Sequence, residues 1–171
     1  MNRGAEICRE LTKAGIRHVV WLPDSETHFL HEAMQKDREI KIVQVCREGE
    51  AIAICAGLHL GGKRAALLIE NFGLFETGNV LKWAIGLNIP MLLMVGYMMY
   101  STLKDTPQGK VRSNGQPEYT EPFLNAFGVK YHLLTSDADI HRVGDACNEA
   151  WSTRRPVALL LSSADGYVPG T

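Results

Sequence analysis

Short apolar runs alternate with longer stretches of helical spacing along most of the chain. The runs are rich in Val, Ile and Leu and are bounded by Gly, Pro or polar residues, as buried strands are. Because strands that alternate with helices form a parallel sheet with helices on both faces, we predict a doubly wound α/β fold. The six strands are expected at residues 18–22, 42–45, 65–69, 90–95, 130–134 and 157–161, and the helices at 5–14, 26–36, 51–60, 74–86, 121–127 and 137–151.

The stretch from residue 40 to residue 70 organises the rest of the pattern. A β-branched strand runs into Arg47-Glu48-Gly49-Glu50, and almost every residue from 51 to 60 is then apolar or small. We expect the resulting helix to be covered on all sides. A carboxylate between the carboxyl end of a strand and a buried helix lies where open α/β sheets bind ligands, so Glu48 is a candidate functional residue. A helix cap, or an ion pair with Arg47 or Lys82, would explain Glu48 equally well.

Two further turns follow predicted strands. Pro23-Asp24-Ser25 comes after the first strand, and Asp24 or Ser25 can cap the next helix. Asn71-Phe72-Gly73 is expected to form a turn after the third strand. Residues 96–120 are polar and contain Pro and Gly, so we predict a long loop, which in a compact domain is more often functional than idle.

Composition restricts the class of protein. The chain has 171 residues, 46% hydrophobic, and 18 basic against 19 acidic residues give a net charge of -1. One globular domain over residues 1–171 is expected, and the charge balance does not support nucleic-acid binding. Residues 1–15 lack a signal-peptide core, and the longest apolar run is too short to span a bilayer. The four cysteines show no paired or metal-type spacing, so we expect reduced core thiols, no membrane association and a cytoplasmic location.

Two apparent motifs do not point to a function. Residues 57–63 fit most of the P-loop pattern, but Arg64 replaces the Ser or Thr and the motif would end a helix instead of opening one. His28, His31 and Glu32 can share one helix face, but no third metal ligand is identifiable, and a solvated polar face explains them. We therefore predict neither nucleotide hydrolysis nor a metal site in this chain.

Four short motifs follow one another along essentially the whole chain: Leu22-Pro23-Asp24-Ser25, Arg47-Glu48-Gly49-Glu50-Ala51-Ile52, Glu70-Asn71-Phe72-Gly73-Leu74 and Lys104-Asp105-Thr106-Pro107-Gln108. They resemble the pyrimidine-binding domain of thiamine-diphosphate-dependent 2-oxo acid decarboxylases. In combination they resemble the phosphonopyruvate and sulfopyruvate decarboxylase branch, and the chain length is similar to that of a separate α-type subunit.

This resemblance implies thiamine diphosphate as cofactor and roles for particular residues. Glu48 would bond to the pyrimidine ring nitrogen and favour the imino tautomer, which starts the chemistry that the cofactor carries. Ser25 would face the substrate or intermediate as a second catalytic residue. Four further residues would lie against the cofactor, where a glycine permits close approach: Pro23, Asp24, Asn71 and Gly73.

The resemblance also implies a partner. The diphosphate-binding half of these enzymes uses a Gly-Asp-Gly motif with a later Asn to hold a divalent metal, and only Gly144-Asp145-Ala146 comes near it here, inside a predicted helix. A β-type subunit would therefore supply that half together with Mg²⁺. We also expect the chain to self-associate. The expected reaction is decarboxylation of a small anionic 2-oxo acid, with sulfopyruvate preferred.

Three alternatives stay open. The first is a phosphonopyruvate decarboxylase subunit; Gly109 stands where those enzymes carry histidine, so the residues leave the choice of 2-oxo acid open. The second is a thiamine-diphosphate carboligase. The third is a binding or partner module of the same fold that performs no chemistry.

Overall fold

Six apolar strands form one fully parallel sheet, which in spatial order consists of Lys41–Gln44, His18–Trp21, Ala65–Glu70, Met91–Gly96, Pro156–Leu161 and Lys130–Leu134. The computed structural model describes residues 3–107, 109–111 and 117–162. The predicted strand positions are confirmed with shifts of at most one residue at their ends. The strands are β1 (His18–Trp21), β2 (Lys41–Gln44), β3 (Ala65–Glu70), β4 (Met91–Gly96), β7 (Lys130–Leu134) and β8 (Pro156–Leu161).

Helices cover both faces of the sheet, as predicted. One face packs against α1 (Arg3–Lys13), α2 (His28–Lys36) and α7 (Arg142–Thr153), and the other against α3 (Glu48–Leu60), α5 (Gly78–Gly86) and α6 (Thr120–Ala126). Alternate residues of β3 serve the two cores, because successive side chains of a strand point to opposite faces. Ala66 and Leu68 join the first core, whereas Leu67 and Ile69 join the second.

The strand order places a topological switch point between β1 and β3. The connection after β1 leads outward to β2, whereas the connection after β3 leads the opposite way to β4. Right-handed crossovers in opposite directions put their helices on opposite faces, and a crevice opens between them at the carboxyl ends of the strands. The start of α3 and the segments that follow β1 and β3 meet at this crevice.

The segment after β3 differs from the predicted turn. Residues Asn71–Leu74 form a short helix, α4, which continues through a 3₁₀ turn (Phe75–Thr77) into α5. The predicted helix at 74–86 therefore begins earlier and has three parts. The helical run starts at once because Asn71 is fully buried and its side chain is bonded to two other segments. A short 3₁₀ turn (Asp137–Asp139) likewise precedes α7.

The prediction that α3 is covered on all sides is wrong within this chain. Ala51, Ile52 and Cys55 are buried, but Leu60 is 78% exposed at the end of the helix. The adjacent α5 exposes Trp83 (60%) and Leu87 (63%). Apolar composition predicts that a helix face should be covered, but composition does not say which chain covers it.

The structure also differs from the expectations for the cysteines and for the loop at residues 96–120. Cys8, Cys55 and Cys147 are buried free thiols, but Cys46 is exposed, so it is not a core thiol. The predicted loop from 96 to 120 contains 3₁₀ turns (Tyr100–Thr102 and Pro117–Tyr119) and an antiparallel pair, β5 (Lys104–Thr106) and β6 (Gly109–Val111). Gln108 of the fourth motif and residues 112–116 lie outside the described residues.

Candidate active site

Three connections bring carboxylates together at the carboxyl edge of the sheet. Glu48 is the first residue of α3, just after β2, whereas Asp24 and Glu26 follow β1 and Glu70 ends β3. The charges of Asp24, Glu26 and Glu48 all act on Glu70, so the four carboxyl groups belong to one electrostatic cluster. The predicted location of the site at this edge therefore agrees with the fold.

Glu48 lies directly against Gly73. A Cβ added to Gly73 would overlap the Glu48 carboxyl group and would lie 2.5 Å from Glu48 Cγ. Real Cβ atoms do not approach other heavy atoms so closely, so only glycine leaves room for Glu48 in this position. The structure thus brings together two of the predicted site residues.

The Glu48 carboxylate is half-buried and has no hydrogen bond or ion pair with the described part of the chain. Arg47, which the sequence offered as an ion-pair partner, bonds instead to Glu76, with Nη2 2.5 Å from Glu76 Oε1. Lys82 lies over the ring of Trp83, 5.3 Å from its centroid. The structural explanation by an ion pair therefore fails for both cations, and the carboxylate is available to an external donor.

Asp24 has a local structural partner. Its carboxylate accepts hydrogen bonds from the Thr27 N–H and the Thr27 hydroxyl, both at 2.7 Å. The buried Thr27 hydroxyl in turn accepts a bond from Trp21 Nε1 at 3.0 Å. Burial raises the pKa of Asp24, and the bonds from Thr27 oppose that shift. Asp24 therefore stabilises the conformation of the segment after β1 through these bonds. Pro23 and Ser25, its neighbours in this segment, are exposed.

Asn71 is a support of the site. Its Nδ2 donates to Thr120 Oγ1 at 3.2 Å, and its Oδ1 accepts from the Met98 N–H at 3.0 Å. Both ends of the buried amide are thus bonded to other segments of the chain. These bonds hold the end of β3 against the segment after β4 and the start of α6, and a direct contact of Asn71 with a cofactor stays a prediction.

Sequence reasoning missed Glu70 and Glu26. Burial and the charges of Asp24, Glu26 and Glu48 raise the pKa of Glu70 to about 7. Burial and the charge of Asp24 also raise the pKa of Glu26, which lies close to the backbone of Gly96. One signal was available: Glu70 ends a buried apolar strand, Ala-Ala-Leu-Leu-Ile-Glu, on the edge where ligands bind.

Two surface cavities differ in their relation to these residues. One of about 230 Å³ adjoins the carboxylate cluster and is lined by Glu26, Tyr97 and Tyr100 among others. A wider one of about 440 Å³ follows β7, three strands away from β3, beside the ion pair of Lys130 and Glu149. The smaller cavity meets the carboxylate cluster at Glu26, whereas none of the four clustered carboxylates lines the wider one.

The described residues contain neither a metal-binding group of side chains nor a membrane-spanning helix. Across 3–107, 109–111 and 117–162, no three His, Cys, Asp or Glu side chains are grouped to hold a metal ion. Over the same ranges, no helix has the length and apolar content needed to cross a bilayer.

Both the fold and the sequence of this chain resemble those of known proteins. The structure resembles 2-oxoglutarate:ferredoxin oxidoreductase from Magnetococcus marinus with a TM-score of 0.72 and 17% identity, over 96% of this chain and 29% of that one. The family model described as "Thiamine pyrophosphate enzyme, N-terminal TPP binding domain" matches residues 1–116. The chain therefore belongs to this family, and the resemblance predicted from the motifs is confirmed.

Relatives of similar length carry a more specific name. The sulfopyruvate decarboxylase subunit alpha of Methanothermobacter thermautotrophicus is 35% identical over 86% of this chain and 88% of its own length. That of Methanocaldococcus jannaschii is 30% identical over 95% of both chains. The phosphonopyruvate decarboxylase of Streptomyces hygroscopicus is 27% identical over 94% of this chain, which spans 40% of that protein.

Replacing Gly73 tests the contact with Glu48. Gly73→Ala places a methyl group where the Glu48 carboxyl group lies, and this flexible group can move aside. We expect the free energy of unfolding to change by less than about 1 kcal/mol, while the Glu48 carboxyl ¹³C resonance shifts. Gly57→Ala is the control, because Gly57 lies on α3 together with Glu48 and a Cβ added to Gly57 would have no atom within 4 Å. An unchanged Glu48 resonance in Gly73→Ala would contradict the contact.

The raised pKa of Glu70 makes a prediction about pH. Between its ordinary value of 4.5 and about 7, folded Glu70 holds a proton that the unfolded chain has released, so wild-type stability falls as the pH rises. Glu70→Gln does not titrate. The free energy of unfolding of Glu70→Gln relative to that of the wild type, both measured with urea, should therefore rise between pH 4.5 and about pH 7. Above that range the difference between the two should stay constant.

Glu76 provides a control of opposite sign for that titration. Bonds from the Gly49 N–H and Arg47 lower the pKa of Glu76, so its contribution to stability is complete above pH 4.5 and is lost as the pH falls further. The free energy of unfolding of Glu76→Gln relative to that of the wild type should thus fall only as the pH rises towards 4.5. If the free energies of unfolding of Glu70→Gln and the wild type differ by the same amount from pH 4.5 to 8, the raised pKa of Glu70 is contradicted.

Proposed function

We propose that this chain is the α-type subunit of a thiamine-diphosphate-dependent decarboxylase of a small anionic 2-oxo acid, with sulfopyruvate as the preferred substrate. The observation that carries the proposal is Glu48: a half-buried carboxylate, with no hydrogen-bond or ion-pair partner among the described residues, held against Gly73 at the carboxyl edge of the sheet. The names of the relatives that match nearly the whole chain support the reaction and the substrate.

The residues present suit the pyrimidine end of the cofactor. A heteroaromatic ring with a protonated nitrogen needs one acceptor in a site that excludes water, and the Glu48 carboxylate is such an acceptor. Glu48 would hold the ring nitrogen, while Gly73, Pro23 and Asp24 would lie along the ring. When bound, thiamine diphosphate supplies the electron sink for loss of carbon dioxide.

The Glu48 carboxylate would accept a hydrogen bond from the protonated ring nitrogen at one of its oxygens. In a desolvated site this hydrogen bond is stronger than in water, so it can shift the tautomer of the ring. The first turn of α3 and Gly73 would orient the carboxylate. Ser25, exposed on the segment after β1, would face the substrate from this chain.

The proposal requires a second chain. No metal-holding group of side chains occurs in the described ranges, and the matched relatives of similar length are named as alpha subunits. The chain spans only 40% of the longer phosphonopyruvate decarboxylase. A β-type subunit would therefore supply the diphosphate-binding half and Mg²⁺, and the complete site would form where the two chains meet.

Replacing Glu48 tests its role. In the enzyme reconstituted from both subunits, Glu48→Gln should lower decarboxylase activity about a hundredfold or more, because a positioned proton-transfer group is lost. Glu50→Gln is the matched control, because Glu50 is exposed two residues later and, among the described residues, bonds only to the Cys46 N–H. It should stay within about twofold of the wild type. An equally active Glu48→Gln enzyme would refute the assigned role.

Calorimetric titration tests the shared site. Thiamine diphosphate with Mg²⁺ is titrated into this chain alone and into its mixture with the β-type subunit. We expect binding only in the mixture, because this chain would contact the pyrimidine end alone. Tight binding to the isolated chain would contradict the requirement for a partner, and no binding in either case would contradict the enzyme function.

A further inference from the structure

Glu76 connects the two residues that flank Glu48. Its Oε2 accepts a hydrogen bond from the Gly49 N–H at 2.7 Å, and its Oε1 accepts one from Arg47 Nη2 at 2.5 Å. Residues 47 and 49 are the immediate neighbours of Glu48, so one carboxylate bonds to the backbone on one side of Glu48 and to the Arg47 side chain on the other. Glu76 comes from a segment 27 residues further along the chain than Gly49.

This bond replaces a local cap. Arg47 occupies the N-cap position of α3 in an extended conformation and makes no side-chain cap bond. The first N–H groups of a helix have no partner inside the helix, and a Ser, Thr, Asp or Asn at the N-cap usually provides one. Here Glu76 bonds to the Gly49 N–H instead, and its negative charge also favours the helix N-terminus.

The geometry at Gly49 permits the approach of Glu76. Gly49 is buried, and a Cβ added to it would lie 3.1 Å from Glu76 Oε2 and 3.4 Å from Val80 Cγ2. A side chain at this position would press on the bonded carboxylate. The glycine therefore lets Glu76 reach the backbone between Arg47 and the rest of α3.

Glu76 and Gly73 belong to the same short segment. Gly73 leaves the space that the Glu48 carboxyl group fills, and Glu76, three residues later, holds the backbone that carries Glu48. The direction of a side chain depends on the rotation of its helix turn, so contacts at both places together determine where the Glu48 carboxylate points.

We propose that Glu76 is a positioning residue for Glu48. Glu76 sets the rotation of the first turn of α3 and thereby the direction in which the Glu48 carboxylate points. Its consequence for catalysis rests on the proposed function. Loss of the Gly49 bond would let the turn rotate or fray, and small displacements of a catalytic group are costly.

Hydrogen exchange tests the structural half of the proposal without any activity. In the free chain, Glu76→Ala should raise the exchange rate of the Gly49 amide at least tenfold, while amides in the middle of α3 keep their protection. Asp139→Ala is the matched control, because Asp139 accepts the Thr135 and Ser136 N–H groups just before α7, at another helix start. Unchanged Gly49 exchange in Glu76→Ala would overturn the proposal.

A double-mutant cycle in the reconstituted enzyme tests the functional half. Glu76→Ala should lower kcat about tenfold, and Glu76→Gln, which keeps one oxygen for the Gly49 N–H, should restore most of it. Because Glu76 acts through Glu48, the double variant Glu48→Gln/Glu76→Ala should keep a residual activity within about twofold of that of Glu48→Gln alone. Asp139→Ala should keep kcat unchanged although it also removes a cap.

The outcomes separate this inference from the proposed function. If Glu48→Gln abolishes activity while Glu76→Ala keeps full kcat, the positioning role is wrong and the proposed function stands. A tenfold further loss in the double variant would also refute action through Glu48. If Glu48→Gln keeps full activity, the proposed function fails, whereas the exchange experiment still decides the contact at Gly49.

Discussion

Glu48 brings a negative charge to a half-buried position, and such a charge is costly unless its surroundings compensate for it. Neither Arg47 nor Lys82 pairs with it, because Arg47 is bonded to Glu76 and Lys82 lies over Trp83. What the chain provides is space over Gly73 and the N-terminus of α3, which favours an anion. The architecture around the switch point thus holds a carboxylate in place, and its oxygens have no donor within the part of the chain that the structure describes.

The other carboxyl groups increase this imbalance. Asp24, Glu26 and Glu70 converge on the same edge, and their mutual repulsion with burial raises the pKa of Glu70 to about 7. Asp24 is partly compensated by Thr27. A site with this charge distribution is suited to hydrogen-bond donors supplied from outside the chain, which agrees with a shared site between two subunits.

The order and type of the elements were predictable from local pattern. Apolar runs with helical stretches between them predicted the parallel sheet, and the strand–helix junction at Arg47-Glu48 pointed to the site. The limits of local pattern show at α3 and after β3. The apolar content of α3 suggested complete burial, but Leu60 is 78% exposed, and the expected turn at Asn71 is helical because the buried amide binds Thr120 and Met98.

By itself, the sequence determined the fold class and identified Glu48 and the carboxyl edge of the sheet as the candidate site, because hydrophobic periodicity and strand ends are local properties. Only the tertiary structure decided that Gly73 lies under Glu48, that Arg47 pairs with Glu76, and that Glu70 shares the cluster. These relations join residues distant along the chain, and they depend on how α3 and the segment after β3 are rotated against each other, which local pattern does not encode.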